Sequence, residues 1–146
     1  MYQVTHEIQV LGPLIDCEVG VTREFAAARA SEKKSIPKRL AGLRALVDTG
    51  ADGVAIDTEL VVKLGLPLRS AKKSQTIDGE RYRFKCEVCI ILLFGEDKLA
   101  VEVPGWCVDN LTKGSEFDLL IGRNILSVLE LHYDGPNNRF TLSHNE

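Results

Sequence analysis

Short apolar runs that alternate with polar residues recur along the chain, and this pattern predicts β-strands rather than long helices. Residues 4–10 and 14–21 form the first two predicted strands, and residues 43–47 are apolar enough for an interior strand. Residues 87–94 and 99–103 flank a Gly-Glu-Asp turn and predict a hairpin. The pattern indicates a mostly β protein.

Two short helices interrupt the strands. Asp57 or Thr58 is suited to cap the first helix, and Gly65 followed by Pro67 ends it. Its apolar positions are Leu60, Val61 and Leu64. A second short helix is predicted near the C-terminus.

A polar stretch, residues 22–39, separates the second strand from the third. Its Ala-rich centre at residues 26–30 has the length of one or two helical turns, and isolated helices of that length are marginal. We therefore expect a mobile surface insertion here.

A β-hairpin is predicted after the first helix, because Asp78-Gly79 is a strong hairpin-turn dipeptide. In the strand that follows, Arg81, Arg83 and Lys85 alternate with apolar residues, which is typical of a solvated face. We expect Pro104-Gly105-Trp106 to break the sheet, with the Trp106 side chain in the core.

The 146 residues indicate one domain, residues 1–146. A net charge of −3 gives no electrostatic signature of nucleic-acid binding, and no apolar run is long enough to cross a membrane. We expect a cytoplasmic protein whose four cysteines are free thiols. Because Cys86 and Cys89 lie on opposite faces of one strand, without a second pair, we expect no metal site.

The main chemical signal lies at residues 45–52, which read Ala-Leu-Val-Asp-Thr-Gly-Ala-Asp. An apolar strand ends here at a carboxylate, a hydroxyl and a residue without Cβ. Taken alone, Asp-Thr-Gly is most often a simple turn. Here apolar segments lie on both sides, which disfavours a solvated loop tip.

A second segment, residues 117–126, reads Phe-Asp-Leu-Leu-Ile-Gly-Arg-Asn-Ile-Leu and also runs from an apolar strand through Gly into a helix.

Together the two motifs resemble the retropepsin-like aspartic peptidases, over about residues 12–142. The resemblance implies a closed, orthogonal β-barrel-like fold with a flap hairpin, a short helix after the catalytic loop and another near the C-terminus. It also implies that the chain acts as a homodimer on a polypeptide substrate, because one copy carries one catalytic loop and the reaction needs two carboxyls. No cofactor is required.

The resemblance assigns roles residue by residue. Asp48 is the catalytic acid, Thr49 bonds across the two-fold axis, and Gly50 permits close approach. Asp52 and Arg123 are expected to form an ion pair between the motifs. The residues expected to contact substrate are Ala51, Val54, Ile77, Asp78, Gly79 and Leu120.

Two other functions fit the same sequence. A dimeric module of this fold could bind extended peptides without cutting them, since folds outlive their chemistry. Alternatively, the dimer interface itself is the whole function, and Asp48 then matters only for stability.

Overall fold

The computed structural model describes residues 1–76, 79–114 and 116–145. The strands are β1 (Tyr2–Glu7), β2 (Leu14–Gly20), β3 (Leu40–Val47), β4 (Val54–Asp57), β5 (Arg69–Thr76), β6 (Gly79–Phe94), β7 (Asp97–Val108), β8 (Leu119–Ile121), β9 (Glu130–Asp134) and β10 (Arg139–His144). The helices are α1 (Arg23–Ser31), α2 (Thr58–Lys63), α3 (Leu111–Gly114) and α4 (Arg123–Leu126).

Most strands belong to one sheet that closes on itself. The strand order is β2-β3-β8-β4-β7-β6-β5, and β2 also pairs with β6. The pairing of β2 with β6 produces a closed barrel of six strands, with β5 as an additional strand outside the ring. The expected mostly β, barrel-like fold is confirmed, with α1 and α3 in addition to the two predicted helices.

The barrel interior is filled by the apolar side chains of alternating strand positions. On β6 the inward residues are Val88, Ile90 and Leu92, each fully buried. Gly105 lies among them, where a Cβ would meet Val54, Ile56 and Val88 at ordinary contact distance. The alternation of side chains along the sequence thus correctly indicates which residues of β6 point into the barrel.

A second, smaller sheet has the order β1-β10-β9 and brings both ends of the chain together. Strands β9 and β10 form an antiparallel hairpin whose turn lies at residues 135–138. Phe140 and Leu142 of β10 are fully buried and join the barrel core.

The segment at residues 22–39 contains a nine-residue helix, α1, where the sequence favoured a segment without stable structure. The Thr22 hydroxyl accepts a hydrogen bond from the Phe25 amide and caps the helix. The Arg23 amide donates to the Glu102 carboxylate on β7 at 2.6 Å, and Phe25 packs against the core. These tertiary contacts supply the stability that a short isolated helix lacks.

The sheet is not broken at residues 104–106, because β7 continues through them to Val108. Pro104 lies opposite Glu87 on β6, and Gly105 lies opposite Cys86. Trp106 is on the opposite face of β7 from the buried Gly105 and Cys107, and its side chain is partly exposed. Its expected place in the core is therefore wrong.

Strands β5 and β6 pair as an antiparallel hairpin, as predicted. The turn residues Ile77 and Asp78 lie outside the described residues, and Gly79 is the first residue of β6. Within the described part of the chain, no helix has the length and apolar character needed to cross a membrane.

Candidate active site

Asp48 directly follows β3, where its backbone amide continues the pairing to β8 by donating to the Ile121 carbonyl at 3.0 Å. One carboxylate oxygen of Asp48 accepts a hydrogen bond from the Gly50 amide at 2.9 Å. The Ala51 amide donates to the Asp48 carbonyl at 3.2 Å and closes the turn. These bonds fix the carboxyl group at the end of a rigid strand while its side chain stays partly exposed.

The loop after Asp48 packs directly on the backbone of the second motif at Gly122. A Cβ at Gly122 would lie 2.5 Å from the Gly53 carbonyl oxygen and 2.7 Å from that of Ala51. These neighbours are main-chain atoms, which cannot move aside easily, so only glycine fits. The glycine of the second motif therefore lets the two loops approach each other.

Backbone hydrogen bonds join the same two segments. The Arg123 amide donates to the Ala51 carbonyl at 2.9 Å, and the Asn124 amide donates to the Asp52 carbonyl at 3.1 Å. Both donors lie in the first turn of α4, where backbone amides have no partner within the helix. The helix start thus holds the loop that carries Asp48.

The expected ion pair between Asp52 and Arg123 is not formed in the described structure. The guanidinium of Arg123 instead donates to the main-chain carbonyl of Thr49 at 2.8 Å. Asp52 is exposed, so its carboxylate is hydrated and gains little from a cation. Arg123 still joins the two motifs, but through a main-chain oxygen.

Thr49 and Gly50 are both exposed at the tip of the loop. Within the described residues, the Thr49 hydroxyl has no hydrogen-bond partner. Its backbone is nonetheless held by Arg123. Arg123 therefore holds the backbone of the loop tip, while Thr49 and Gly50 remain exposed.

The predicted substrate contacts are only partly brought together. Ala51 and Leu120 are partly exposed near Asp48. Val54 is only 1% exposed and belongs to the barrel core, so its prediction as a substrate contact is wrong. Since side chains alternate along β4, the neighbouring Ala55 faces outward instead, and it pairs with Leu120.

Asp57, at the other end of β4, holds α2 and α3 in place. Its carboxylate accepts hydrogen bonds from the Glu59 amide at 2.9 Å and the Thr112 amide at 2.7 Å. Asp57, rather than Thr58, is the N-cap of α2. Burial by itself raises the pKa of Asp57, but the amide donors of Thr112 and Glu59 outweigh it, so the pKa lies below its ordinary value.

Gly122 and Ala55 were not among the residues predicted for the site. The sequence signal for Gly122 is its position between an apolar strand and a helix start. For Ala55 the signal is strand alternation, which places it on the face opposite to Val54.

The residues that build this site lie inside the region that a known family matches. The family model described as aspartyl protease matches residues 41–125. This range includes Asp48 and its loop, the β5–β6 hairpin, and the second motif with Gly122 and Arg123. The chain belongs to the aspartyl protease family.

Two solved structures are similar to this chain. A retropepsin-like aspartic protease from Rickettsia conorii matches with a TM-score of 0.53 and 15% identity, over 96% of this chain and 89% of that chain. The EIAV protease complexed with the inhibitor HBY-793 matches with a TM-score of 0.39 and 20% identity, over 58% of this chain and 74% of that one. No curated protein matches the sequence. The first match supports a retropepsin-like fold.

Proposed function

We propose that the protein is an aspartic endopeptidase that acts as a homodimer, with Asp48 of each copy forming the catalytic pair. The single observation that carries this proposal is the geometry of Asp48. One of its oxygens is fixed by the Gly50 amide at 2.9 Å, at the end of a strand, in a loop locked by the second motif. A carboxyl held in this way is positioned for proton transfer.

The mechanism needs two such carboxyls a few ångströms apart. Because two like charges so close do not both ionise, the pair shares one proton. The ionised Asp48 takes a proton from a bound water as that water attacks the scissile carbonyl. The protonated Asp48 donates its proton to the carbonyl oxygen, and a proton then passes to the leaving amine.

Thr49 and Gly50 are proposed to meet their counterparts at the two-fold axis. The exposed Thr49 hydroxyl has a free donor, and its backbone is anchored by Arg123. A hydrogen bond from this hydroxyl to the opposite loop would hold the two carboxyls in register. Thr49 is then a positioning residue for Asp48.

The β5–β6 hairpin is proposed as the flap that covers the substrate. An extended peptide would lie between this hairpin and the Asp48 loop, with alternate side chains in separate subsites. Ala51 and Leu120, together with Ala55, supply apolar contacts. We therefore expect apolar residues beside the cleaved bond. Ile77, Asp78 and Gly79, at the hairpin tip, remain proposed contacts.

The direct test is cleavage of a diverse peptide mixture near pH 5 by the purified chain. We expect internal cleavages that Asp48→Asn abolishes, because the amide cannot take a proton from water. Asp97→Asn, at the exposed start of β7, is the matched control and should keep full activity. Equal cleavage by the wild type and Asp48→Asn would contradict the proposal.

Assembly is tested by dilution. Since each copy supplies one carboxyl, specific activity should fall as the dimer dissociates, with the same midpoint as the change in mass. Activity that stays constant down to a fully monomeric sample would rule out the shared site.

A peptide-binding module without catalysis is the second candidate, and the partly exposed apolar residues Leu120 and Ala55 favour it equally. It predicts that peptides bind the wild type and Asp48→Asn alike and that neither cuts them. A cytoplasmic location is also part of the proposal, supported by the free state of all four cysteines.

A further inference from the structure

A row of paired residues crosses the sheet from the Asp48 side to the outer hairpin. Leu120 of β8 pairs with Ala55 of β4, and Ala55 pairs with Trp106 of β7. Trp106 pairs with Lys85 of β6, and Lys85 pairs with Arg69 of β5. Because directly paired residues project to the same face, these five residues share one face of the sheet. We call them the cross-sheet row.

The cross-sheet row lies on the face opposite to the barrel core. The strand neighbours of its members, such as Ile56, Cys86 and Cys107, are buried. The row members themselves are partly buried or exposed. Leu120 also pairs with Leu46, two residues before Asp48, so one end of the row lies beside the catalytic loop.

The chemistry changes along the row. Leu120 and Ala55 are apolar, and Trp106 follows as a partly exposed aromatic surface. The Lys85 ammonium lies over the Trp106 ring, 4.6 Å from its centroid. A cation–π contact holds the ammonium on one side and leaves its other side open to a ligand.

The outer end of the row, on β5 and β6, is basic. Arg69 and Lys85 are directly opposite each other, so two like charges lie on adjacent strands. Like charges in direct cross-strand pairs destabilise a sheet. Within the described residues, neither Lys85 nor Arg69 forms an ion pair. Glu24 and Glu87 lie with Arg69 around a cavity of about 170 Å³ beside α1, yet neither carboxylate forms an ion pair with Arg69.

We propose that Lys85 and Arg69 form a subsite for an acidic side chain of the peptide substrate. This inference rests on the proposed function and names its substrate class: an apolar residue beside the cleaved bond and a Glu or Asp farther along. Lys85 is three strands from Leu120, which is about 14 Å at the usual spacing, and an extended peptide covers that distance in about four residues.

Matched peptides test this specificity. Pairs that differ only by Glu or Gln, at the third, fourth or fifth position on either side of the cleaved bond, are compared by kcat/KM near pH 5. At one of these positions we expect Glu to be preferred by about three- to tenfold, the range for two partly exposed charge pairs. The preference should fall in high salt and disappear when the substrate Glu is protonated.

Variants assign the preference to the two cations. Lys85→Met and Arg69→Met should each reduce the Glu/Gln ratio while cleavage of the Gln peptide is retained. Lys85→Glu should reverse the preference toward a peptide with Lys at that position. Lys63→Met, on α2, removes another exposed lysine and should leave the ratio unchanged.

Binding to the Asp48→Asn protein separates this inference from the proposed function. If Glu peptides bind more tightly than Gln peptides, and Lys85→Met abolishes the difference, the subsite is supported even when the wild type cuts nothing. If the wild type cuts Glu and Gln peptides equally at every position, the subsite is wrong although the peptidase function stands.

Discussion

The guanidinium of Arg123 donates a hydrogen bond to the main-chain carbonyl of Thr49 at 2.8 Å. An arginine of the second motif thus supports the backbone of the loop that carries Asp48. The bond is local in space but joins residues 74 positions apart in the chain. Its removal should loosen the tip of the loop more than the barrel.

Arg123→Met is therefore expected to weaken assembly more than folding. Without the donor, Thr49 loses its support, and the dissociation constant of the proposed dimer should rise by about five- to tenfold, or roughly 1 to 1.4 kcal/mol. Sedimentation equilibrium measures this constant. Asp52→Asn is the comparison, because Asp52 has no ion pair in the described structure, and it should change the constant less than twofold. An equal rise of the dissociation constant in Arg123→Met and Asp52→Asn would show that an ion pair between Asp52 and Arg123 contributes to assembly.

Gly122→Ala should strongly destabilise the protein. Its φ of −109° is accessible to alanine, so the cost comes from space alone: the new Cβ would lie 2.5 Å from the Gly53 carbonyl oxygen. We expect a loss of about 3 kcal/mol in the free energy of unfolding, measured by urea denaturation. Gly105→Ala is the matched control, since its Cβ would meet only side chains at 3.5 Å or more. A Gly122→Ala protein as stable as Gly105→Ala would contradict the close packing.

Asp57 should make stability depend on pH in the acid range. Its pKa is lower in the folded protein than its ordinary value of 3.8, so its contribution is complete above that value and is lost as the pH falls through the folded pKa. Asp57→Asn should lower the free energy of unfolding by about 1–2 kcal/mol at pH 7, because Asn has one acceptor oxygen for the amides of Glu59 and Thr112. The difference in the free energy of unfolding between the wild type and the variant should become smaller below pH 4. A gap that is constant from pH 7 to pH 2 would rule out this role.

The four thiols should differ in their reaction with iodoacetamide. Burial raises the pKa of Cys17, and nearby Asp118 raises it further, so Cys17 should stay unlabelled until the protein unfolds. In the hydrogen-bonded pair of Cys86 and Cys107, the bond to Cys107 and burial raise the pKa of Cys86. The same bond lowers the pKa of Cys107, but this thiol is buried. Burial also raises the pKa of Cys89, but Cys89 is partly exposed and should react first. Mass spectrometry of peptides from briefly labelled protein shows the order in which the four thiols react.

The sequence was most informative where local patterns and tertiary structure agree. Alternating apolar residues predicted the β6–β7 hairpin, and the cap and stop signals predicted α2. The helix α1 was missed because its stability comes from contacts with Glu102 and the core, which lie far away in the chain. Local propensity alone cannot reveal such contacts.

The candidate site was predictable in its motifs but not in its side-chain partners. The motifs indicated that the segments carrying Asp48 and Arg123 are neighbours, yet Arg123 bonds to the Thr49 carbonyl instead of Asp52. Val54 was misassigned because β4 begins with a buried residue, so the outward position falls on Ala55. A shift of one residue along a strand exchanges the inward and outward side chains. Composition alone does not determine which residues of β4 point inward.

Closure of the barrel has a consequence for protein synthesis. Strand β2 needs β6 as its second partner, and β3 needs β8 (Leu119–Ile121), which leaves the ribosome long after β3. Non-local pairing of this kind is slow. The loop that carries Asp48 is thus expected to reach its final form only after β8 has been translated.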